Sequence, residues 1–210
     1  VATGAKWREL GVPGEKENKG SGVAYCPHCD GPFYKDKKVV VVGGGNSGIE
    51  AAIDLSKIAK EVKVLEFLKD LKADQLLVER AQSAENIQIV TNVATDRIES
   101  KDGKVSTIVY KNRETGEETT HKTDGIFIQI GLEPNSAFLG DEISRNKHGE
   151  IIVDANCKTS KPSIFACGDV TTVTYKQIIV AMGQGATAAL SASEHLMMIQ
   201  DAVEIEQVAV

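Results

Sequence analysis

The sequence predicts an α/β fold containing a three-layer, Rossmann-like dinucleotide-binding domain, and three features carry that prediction. The first is Lys38-Val39-Val40-Val41-Val42, a continuous β-branched run of the kind found in strands buried on both faces. The second is the glycine turn that follows it and opens onto Ile49, Ala52, Ile53, Leu55 and Ile58, apolar positions at helical spacing. The third is Val62-Lys63-Val64-Leu65, a second strand. Strand, helix and strand within about 30 residues make a βαβ unit.

The other elements fall around this unit. Residues 2–4 form a small-residue turn, and Leu10-Gly11-Val12-Pro13-Gly14 has the Gly and Pro density of a linker. After the second strand, Leu71 to Ala84 reads as a helix and Ile87-Gln88-Ile89-Val90 as a third strand. Asp96 to Tyr110 and His121-Lys122-Thr123 read as a β-meander, with turns at Lys101-Asp102-Gly103 and Glu114-Thr115-Gly116. Ile126 to Ile130 is a final buried strand, stopped by Gly131 and Pro134. Short strands are expected at Ile151-Ile152-Val153 and Ser163-Ile164-Phe165-Ala166, and a small-residue helix from about Gln177 to Ile199. The last ten residues, 201–210, carry no assignable pattern.

Composition narrows the function classes. With 41% hydrophobic and 26% charged residues the 210-residue chain is that of an ordinary globular protein rather than a disordered one. A net charge of −6 speaks against a nucleic-acid binder. No apolar run approaches the roughly 20 residues of a membrane helix, and no signal-peptide pattern opens the chain. A cytoplasmic location is the expectation. The chain begins in mid-pattern at Val1 without an initiator Met, and reads as a piece of something longer.

Gly43-Gly44-Gly45-Asn46-Ser47-Gly48 places Gly43, Gly45 and Gly48 in GxGxxG spacing between a buried strand and a helix. Gly43 allows the tight turn, Gly45 lets backbone amides approach a pyrophosphate, and Gly48 lets the helix pack close to the strand. Glu66 ends the second strand, 18 residues after Gly48, where a carboxylate accepts from ribose hydroxyls and repels a 2′-phosphate. No Arg is near it in sequence, since Phe67 and Leu68 follow, so NADH is expected over NADPH.

Two of the four cysteines stand as Cys26-Pro27-His28-Cys29. The pair is half a zinc site, a redox dithiol, or a coincidence. Zinc needs two more ligands at matched spacing, and Cys157, Cys167, His121 and His148 do not supply them. A thioredoxin fold would place the motif on a long helix, which Gly31-Pro32 would cut. Thiol chemistry does not depend on that fold: two such thiols cycle between dithiol and disulfide, with the more exposed one as nucleophile. Asp30 is placed to move the proton. His28 either tunes the thiolate or is a solvated polar residue. Cys157 and Cys167 read as small buried or half-buried thiols without a redox role.

The combination of CPHCDG with GGGNSG, a strand ending in Glu66 and Lys72-Ala73-Asp74 resembles the low-molecular-weight thioredoxin reductase group of flavoproteins. Within that group it is similar to the flavoprotein subunits of alkyl hydroperoxide reductases, which are NADH:peroxiredoxin reductases. The likeness runs from Val1 to about Ile199. It implies that the nicotinamide domain is inserted between two halves of a second, FAD-binding Rossmann-like domain. Residues 1–12 would then be the end of the first half with a linker, 13–131 the NADH-binding domain with the CPHC motif, and 132–200 the C-terminal half of the FAD domain. The resemblance also implies a flavin motif at Cys167-Gly168-Asp169-Val170, with Asp169 on the FAD ribitol. Lys176, Gln177 and Ile178 would lie against the isoalloxazine, and Gly131 would join Asn46 and Ser47 in the NADH site.

By the same resemblance electrons pass from NADH to FAD and then to a Cys26–Cys29 disulfide. Cys29 would face the flavin, Cys26 would pass electrons onward, and Asp30 would be the acid. The implied partners are a thioredoxin-like N-terminal domain of the parent chain and the peroxiredoxin subunit of alkyl hydroperoxide reductase, with the parent a homodimer. The first FAD half is absent from this sequence, so the expectation is that it binds NADH, binds FAD weakly or not at all, and is inactive alone. The alternatives are a thioredoxin reductase proper, a nicotinamide-dinucleotide binding module without catalysis, and a zinc-stapled structural domain. Hinges are expected at about Glu9–Gly14 and Gly131–Pro134.

Overall fold

The computed structural model describes the backbone of residues 1–208 and the side chains of residues 1–199. In chain order its strands are β1 (Ala5–Trp7), β2 (Val23–Ala24), β3 (Lys38–Val42), β4 (Glu61–Leu65), β5 (Ile87–Val90), β6 (Val93–Lys101), β7 (Lys104–Asn112), β8 (Glu118–Lys122), β9 (Gly125–Ile128) and β10 (Leu132–Pro134). The α-helices are α1 (Pro27–Asp30), α2 (Asn46–Ser56), α3 (Gln75–Gln82) and α4 (Ile178–Val208). The chain divides into two compact units, one of Trp7–Gly131 and one of Val1–Lys6 with Leu132–Val210.

In the first unit a five-stranded sheet runs in the order β2-β9-β3-β4-β5, and every pair in it is parallel. Side chains alternate across a strand, and that alternation builds two separate cores. Val39, Val41, Val62, Val64 and Phe127 face α2 and α3, where Ile49, Ala52, Leu55 and Ala81 meet them. Val40, Val42, Leu65, Ile126 and Ile128 face the other way, onto Val93, Ile98, Val105, Ile108 and Tyr110. These last residues belong to β6 and β7 of an antiparallel sheet ordered β6-β7-β8. Helices, parallel sheet and meander are the three layers. The valine run of β3 has no polar alternation because each face of the strand has its own core.

Several elements depart from the sequence expectation. The helix expected over Leu71 to Ala84 is confined to Gln75–Gln82, because the chain before it is tied to the glycine turn. Lys72 N–H donates to the Gly44 carbonyl at 3.0 Å, and Asp74 N–H donates to Asn46 Oδ1 at 2.8 Å. Residues 7–12, expected as linker, belong to the first unit: Trp7, Leu10 and Val12 pack on the core facing the meander. The Glu9–Gly14 segment, expected as a hinge, is tied to β6 within this unit. Pro13 O accepts from Ile98 N–H at 2.9 Å, and a Cβ on Gly14 would meet Ile98 O at 1.9 Å.

The second unit has a small core of Ile143, Ile151, Ala166 and Val170. The strands expected at Ile151–Val153 and Ser163–Ala166 are reduced to single bridges, Ile151 with Arg145 and Thr171, and Phe165 with Lys158. Ser163 follows Pro162 and holds a left-handed φ of +65°, which breaks a ladder at its start. Strands β1 and β10 form a two-stranded sheet. Helix α4 begins at Ile178 and runs to Val208, so most of the tail left unassigned by the sequence continues the helix. Positions 209 and 210 lie outside the described residues.

Candidate active site

Strand β3 ends at Val42, and the chain turns sharply at Gly43, whose φ of +124° suits glycine. A Cβ there would lie 2.3 Å from the Gln129 carbonyl oxygen, and one on Gly48 only 1.9 Å from the Gly43 oxygen. Both glycines are therefore demanded by the protein's own backbone. Gly45 differs: a Cβ on it would meet nothing within 4 Å. Its φ of −84° is open to any residue, and it stands at the N-cap of α2 with no side chain capping the helix. The first-turn amides and the positive end of the helix dipole thus face the open space over Gly45, an arrangement that fits a pyrophosphate.

Glu66 lies just past the end of β4 and is buried. Its Oε2 accepts from Gly44 N–H and its Oε1 from Leu68 N–H at 2.7 Å. The carboxylate thereby locks the glycine turn to the loop after β4. Asn46 and Asp74 make a reciprocal pair, with Asn46 Nδ2 donating to Asp74 Oδ2 at 2.9 Å and Asp74 N–H donating back. The Asn46 side chain expected on the dinucleotide is thus engaged in bracing the turn, while Ser47 is exposed beside it. Gly131, at φ +105°, closes the unit, its carbonyl accepting from Arg8 N–H at 3.0 Å.

Sequence distance hid one basic neighbour. Arg113, 47 residues after Glu66 in the chain, lays its guanidinium 3.7 Å from the centroid of the Phe67 ring. Its Nη1 donates to the Phe67 carbonyl at 2.9 Å. Lys69 pairs with Glu114 in the same turn. The expectation that no Arg lies near the end of the second strand is corrected here: the loop between β7 and β8 brings one.

The cysteines precede α1. Cys26 and Cys29 are joined as a disulfide, with their Cα atoms 5.3 Å apart. Bonded to each other, they do not offer the free thiolates of a zinc site. Cys26 is the N-cap of α1, its Sγ accepting from Cys29 N–H at 3.2 Å. Gly31 and Pro32 end the helix after four residues and start a 3-10 turn to Tyr34. Cys29 is exposed and Cys26 half-buried, so by exposure alone Cys29 is the sulfur that an incoming thiol reaches first. His28 is exposed. Asp30 is half-buried, and its charge, after burial, helps push the Tyr34 phenol up.

Residues that sequence reasoning passed over stand behind the disulfide. Tyr25 donates its hydroxyl to Glu15 Oε1 at 2.8 Å, and the Tyr25 carbonyl accepts from Gln129 Nε2 at 2.7 Å. A Glu after Val12-Pro13-Gly14 reads as a solvated turn residue, and no local signal marks it as buried.

In the second unit Gly168 takes a φ of +76° at the start of a 3-10 turn. Its N–H donates to Gln184 Oε1 at 2.8 Å. The Asp169 carboxylate is half-buried and takes part in no hydrogen bond or ion pair among the described residues, which fits a ligand hydroxyl. The Lys176 ammonium is already engaged, 2.9 Å from Glu150 Oε1 and 2.5 Å from the Thr171 carbonyl. Its side chain therefore holds the loop that presents Gln177 and Ile178 instead of reaching outward. Cys157 is buried, and burial foremost, then the nearby Cys167, pushes its thiol up.

A parallel-sheet domain with a glycine turn open at Gly45 and a four-residue disulfide loop before its first long strand has the parts of a nucleotide-linked disulfide oxidoreductase fold. Comparison with known proteins agrees. The profile of the pyridine nucleotide-disulphide oxidoreductase family matches residues 1–185, and the chain belongs to that family. The alkyl hydroperoxide reductase F subunit of Pseudomonas aeruginosa is 52% identical over 94% of this chain and 38% of its own length. A protein named NADH dehydrogenase from Bacillus subtilis is 53% identical over the same shares. The thioredoxin reductase of Streptococcus pyogenes has a TM-score of 0.88 at 40% identity, covering 94% of this chain and 65% of that one. The chain thus spans less than two-fifths of the length of these curated relatives. Among the described residues no helix is long and apolar enough to cross a membrane.

Proposed function

We propose that this chain is the nucleotide-and-disulfide portion of an NADH-dependent flavoprotein disulfide reductase that feeds a peroxiredoxin. The observation that carries the reading is the Cys26–Cys29 disulfide held in the same unit as a glycine turn open at Gly45. Gly43, Gly45, Ser47, Gly48 and Glu66 would hold the dinucleotide, and Gly168, Asp169, Gln177 and Ile178 would hold FAD. When bound, the flavin supplies the two-electron link between nicotinamide and disulfide. The protein's own share is to open the S–S bond: two electrons and two protons convert it to the Cys26 and Cys29 thiols, with Asp30 placed beside them to carry a proton. Reoxidation by a thioredoxin-like domain of the parent passes the electrons towards the peroxiredoxin subunit of alkyl hydroperoxide reductase. The setting is a cytoplasmic response to reactive oxygen species, and the parent is a homodimer.

A thioredoxin reductase proper is the second reading. Arg113 beside Phe67 favours it, since a guanidinium at that end of the site would donate to a 2′-phosphate. The test is the visible spectrum of the purified chain followed by NADH and NADPH titrations. The proposal expects no flavin band and an NADH affinity at least tenfold above that for NADPH. A flavin band near one per chain would refute weak FAD binding, and equal affinities would favour the second reading. Thiol counts under denaturation should rise from two to four on reduction, since two of the four cysteines are free.

A further inference from the structure

Tyr25 is the residue before Cys26, and it is fixed on every side. Its hydroxyl donates to Glu15 Oε1 at 2.8 Å. Its ring stacks on Trp7, centroids 6.2 Å apart, and Lys19 Nζ lies 4.8 Å from the ring centroid. Its carbonyl accepts from Gln129 Nε2, which also donates to the Ile128 carbonyl at 3.0 Å. Glu15 itself is fully buried, at 0% exposure. It accepts from Leu10 N–H at 3.0 Å and Gly11 N–H at 2.7 Å in addition to the tyrosine.

A buried carboxylate is costly unless its lone pairs are met, and packing alone would place an apolar residue here. The hydroxyl is held firmly as the donor: burial, then the bond to Glu15, pushes the Tyr25 phenol well above its ordinary range. Cys26, the next residue, is the N-cap of α1. Whatever fixes the Tyr25 peptide therefore fixes the direction in which Cys26 leaves the sheet.

We propose that Glu15 and Tyr25 are positioning residues for the Cys26–Cys29 pair, holding Cys26 over Cys29 and so setting how readily the disulfide opens. The inference rests on the reading of that pair as the redox centre. Pre-organising two thiols raises their effective concentration for one another, so loosening Tyr25 shifts the equilibrium toward the dithiol. The group that moves is the Cys26 backbone, not the fold of the sheet behind it.

The experiment equilibrates the oxidised chain with graded ratios of reduced and oxidised dithiothreitol. In that exchange the dithiothreitol dithiol closes to its cyclic disulfide as the Cys26–Cys29 bond becomes two thiols. The fraction reduced is read by alkylation and mass, and alkylation rates of Cys26 and Cys29 are compared by peptide mapping. Tyr25→Phe keeps the ring and removes only the hydroxyl, and Glu15→Gln keeps the volume. Ile49→Val, in the core on the other face of the sheet, controls for general destabilisation. The expected result for both site variants is a shift of about tenfold toward the dithiol, about 30 mV for a two-electron couple. A several-fold change in the Cys26 to Cys29 rate ratio should accompany it, with the control unmoved. Should Glu15→Gln fail to fold, Tyr25→Phe alone decides. Wild-type values in Tyr25→Phe, or an equal shift in Ile49→Val, would overturn the inference. A wild-type pair that does not exchange with dithiothreitol at all would instead remove the redox reading, and the inference with it.

Discussion

Replacing Gly45 and Gly48 one at a time by alanine separates what the glycine turn does for the protein from what it does for a ligand. On Gly45 the added methyl meets nothing within 4 Å among the described residues beyond its chain neighbours, and φ is −84°. Alanine is less suited than glycine to an N-cap, by about 0.5–1 kcal/mol. The unfolded chain loses freedom in return, which stabilises by about 0.4–1 kcal/mol. The two nearly cancel, so the melting temperature should stay within about 2 °C. The methyl nevertheless stands where phosphate oxygens would approach the helix amides. Each lost bond to a charged group is worth about 1.5–3 kcal/mol, and NADH should bind about tenfold to a hundredfold more weakly. On Gly48 the methyl would lie 1.9 Å from the Gly43 carbonyl oxygen, a backbone atom that cannot rotate away. Helix α2 must then move off β3, at a cost of about 1–3 kcal/mol, and melting should fall by about 3–10 °C. The assays are calorimetric NADH titration and thermal melting by circular dichroism. Unchanged NADH affinity in Gly45→Ala, or a melting loss there equal to that of Gly48→Ala, would refute the reasoning.

Three further outcomes are expected. Cys26→Ser and Cys29→Ser should each abolish disulfide exchange while leaving NADH affinity within about twofold; a variant that still cycles would show that the pair is not the redox centre. Arg113→Ala removes both the Phe67 carbonyl bond and the stacked guanidinium. It should weaken NADH several-fold by freeing the loop after Glu66, and titration of both nicotinamide dinucleotides would show at once whether NADPH loses more. His121 is held below its ordinary value of 6.5, first by burial and then by Lys63, with Lys38 opposing its charge too and Glu61, 3.8 Å away, favouring it. Its Nε2 has no hydrogen-bond partner among the described residues. The unfolded chain therefore takes up a proton there before the folded one does, and stability should decline as pH falls through and below 6.5. Denaturant titrations between about pH 5.5 and 7.5 should show that slope, and His121→Asn should flatten it.

Much of the site was legible because its residues are close in sequence and obey local rules. Gly43 and Gly48 are required by the turn that carries them, and an open Gly45 follows from the same spacing. Glu66 is marked by its place at the strand end. The CPHC pair was found by its spacing, and the break at Gly31-Pro32 by the chemistry of proline. Other features lie beyond local rules. Asn46 and Lys176 stand at cofactor-motif positions, and Asp74 and Glu150 meet their polar groups from elsewhere in the fold. The helix from Leu71 started late because Gly44 and Asn46 hold the chain that precedes it.

What the sequence determined by itself, then, is the set of properties that depend on neighbours within a turn or two. These are the valine strand buried on both faces, the strand-turn-helix with its glycine turn, the disulfide-competent spacing and the acidic residue at the end of β4. Tertiary structure alone decided the rest. It set Arg113 against Phe67 across 46 residues of chain, and it buried Glu15 under the tyrosine that leads into Cys26. It also packed Leu10 and Val12, within the Glu9–Gly14 segment, against a core. A charged residue in a turn looks the same in sequence whether solvent or a distant hydroxyl meets it, because burial and pairing are properties of the packed layers and not of the local chain.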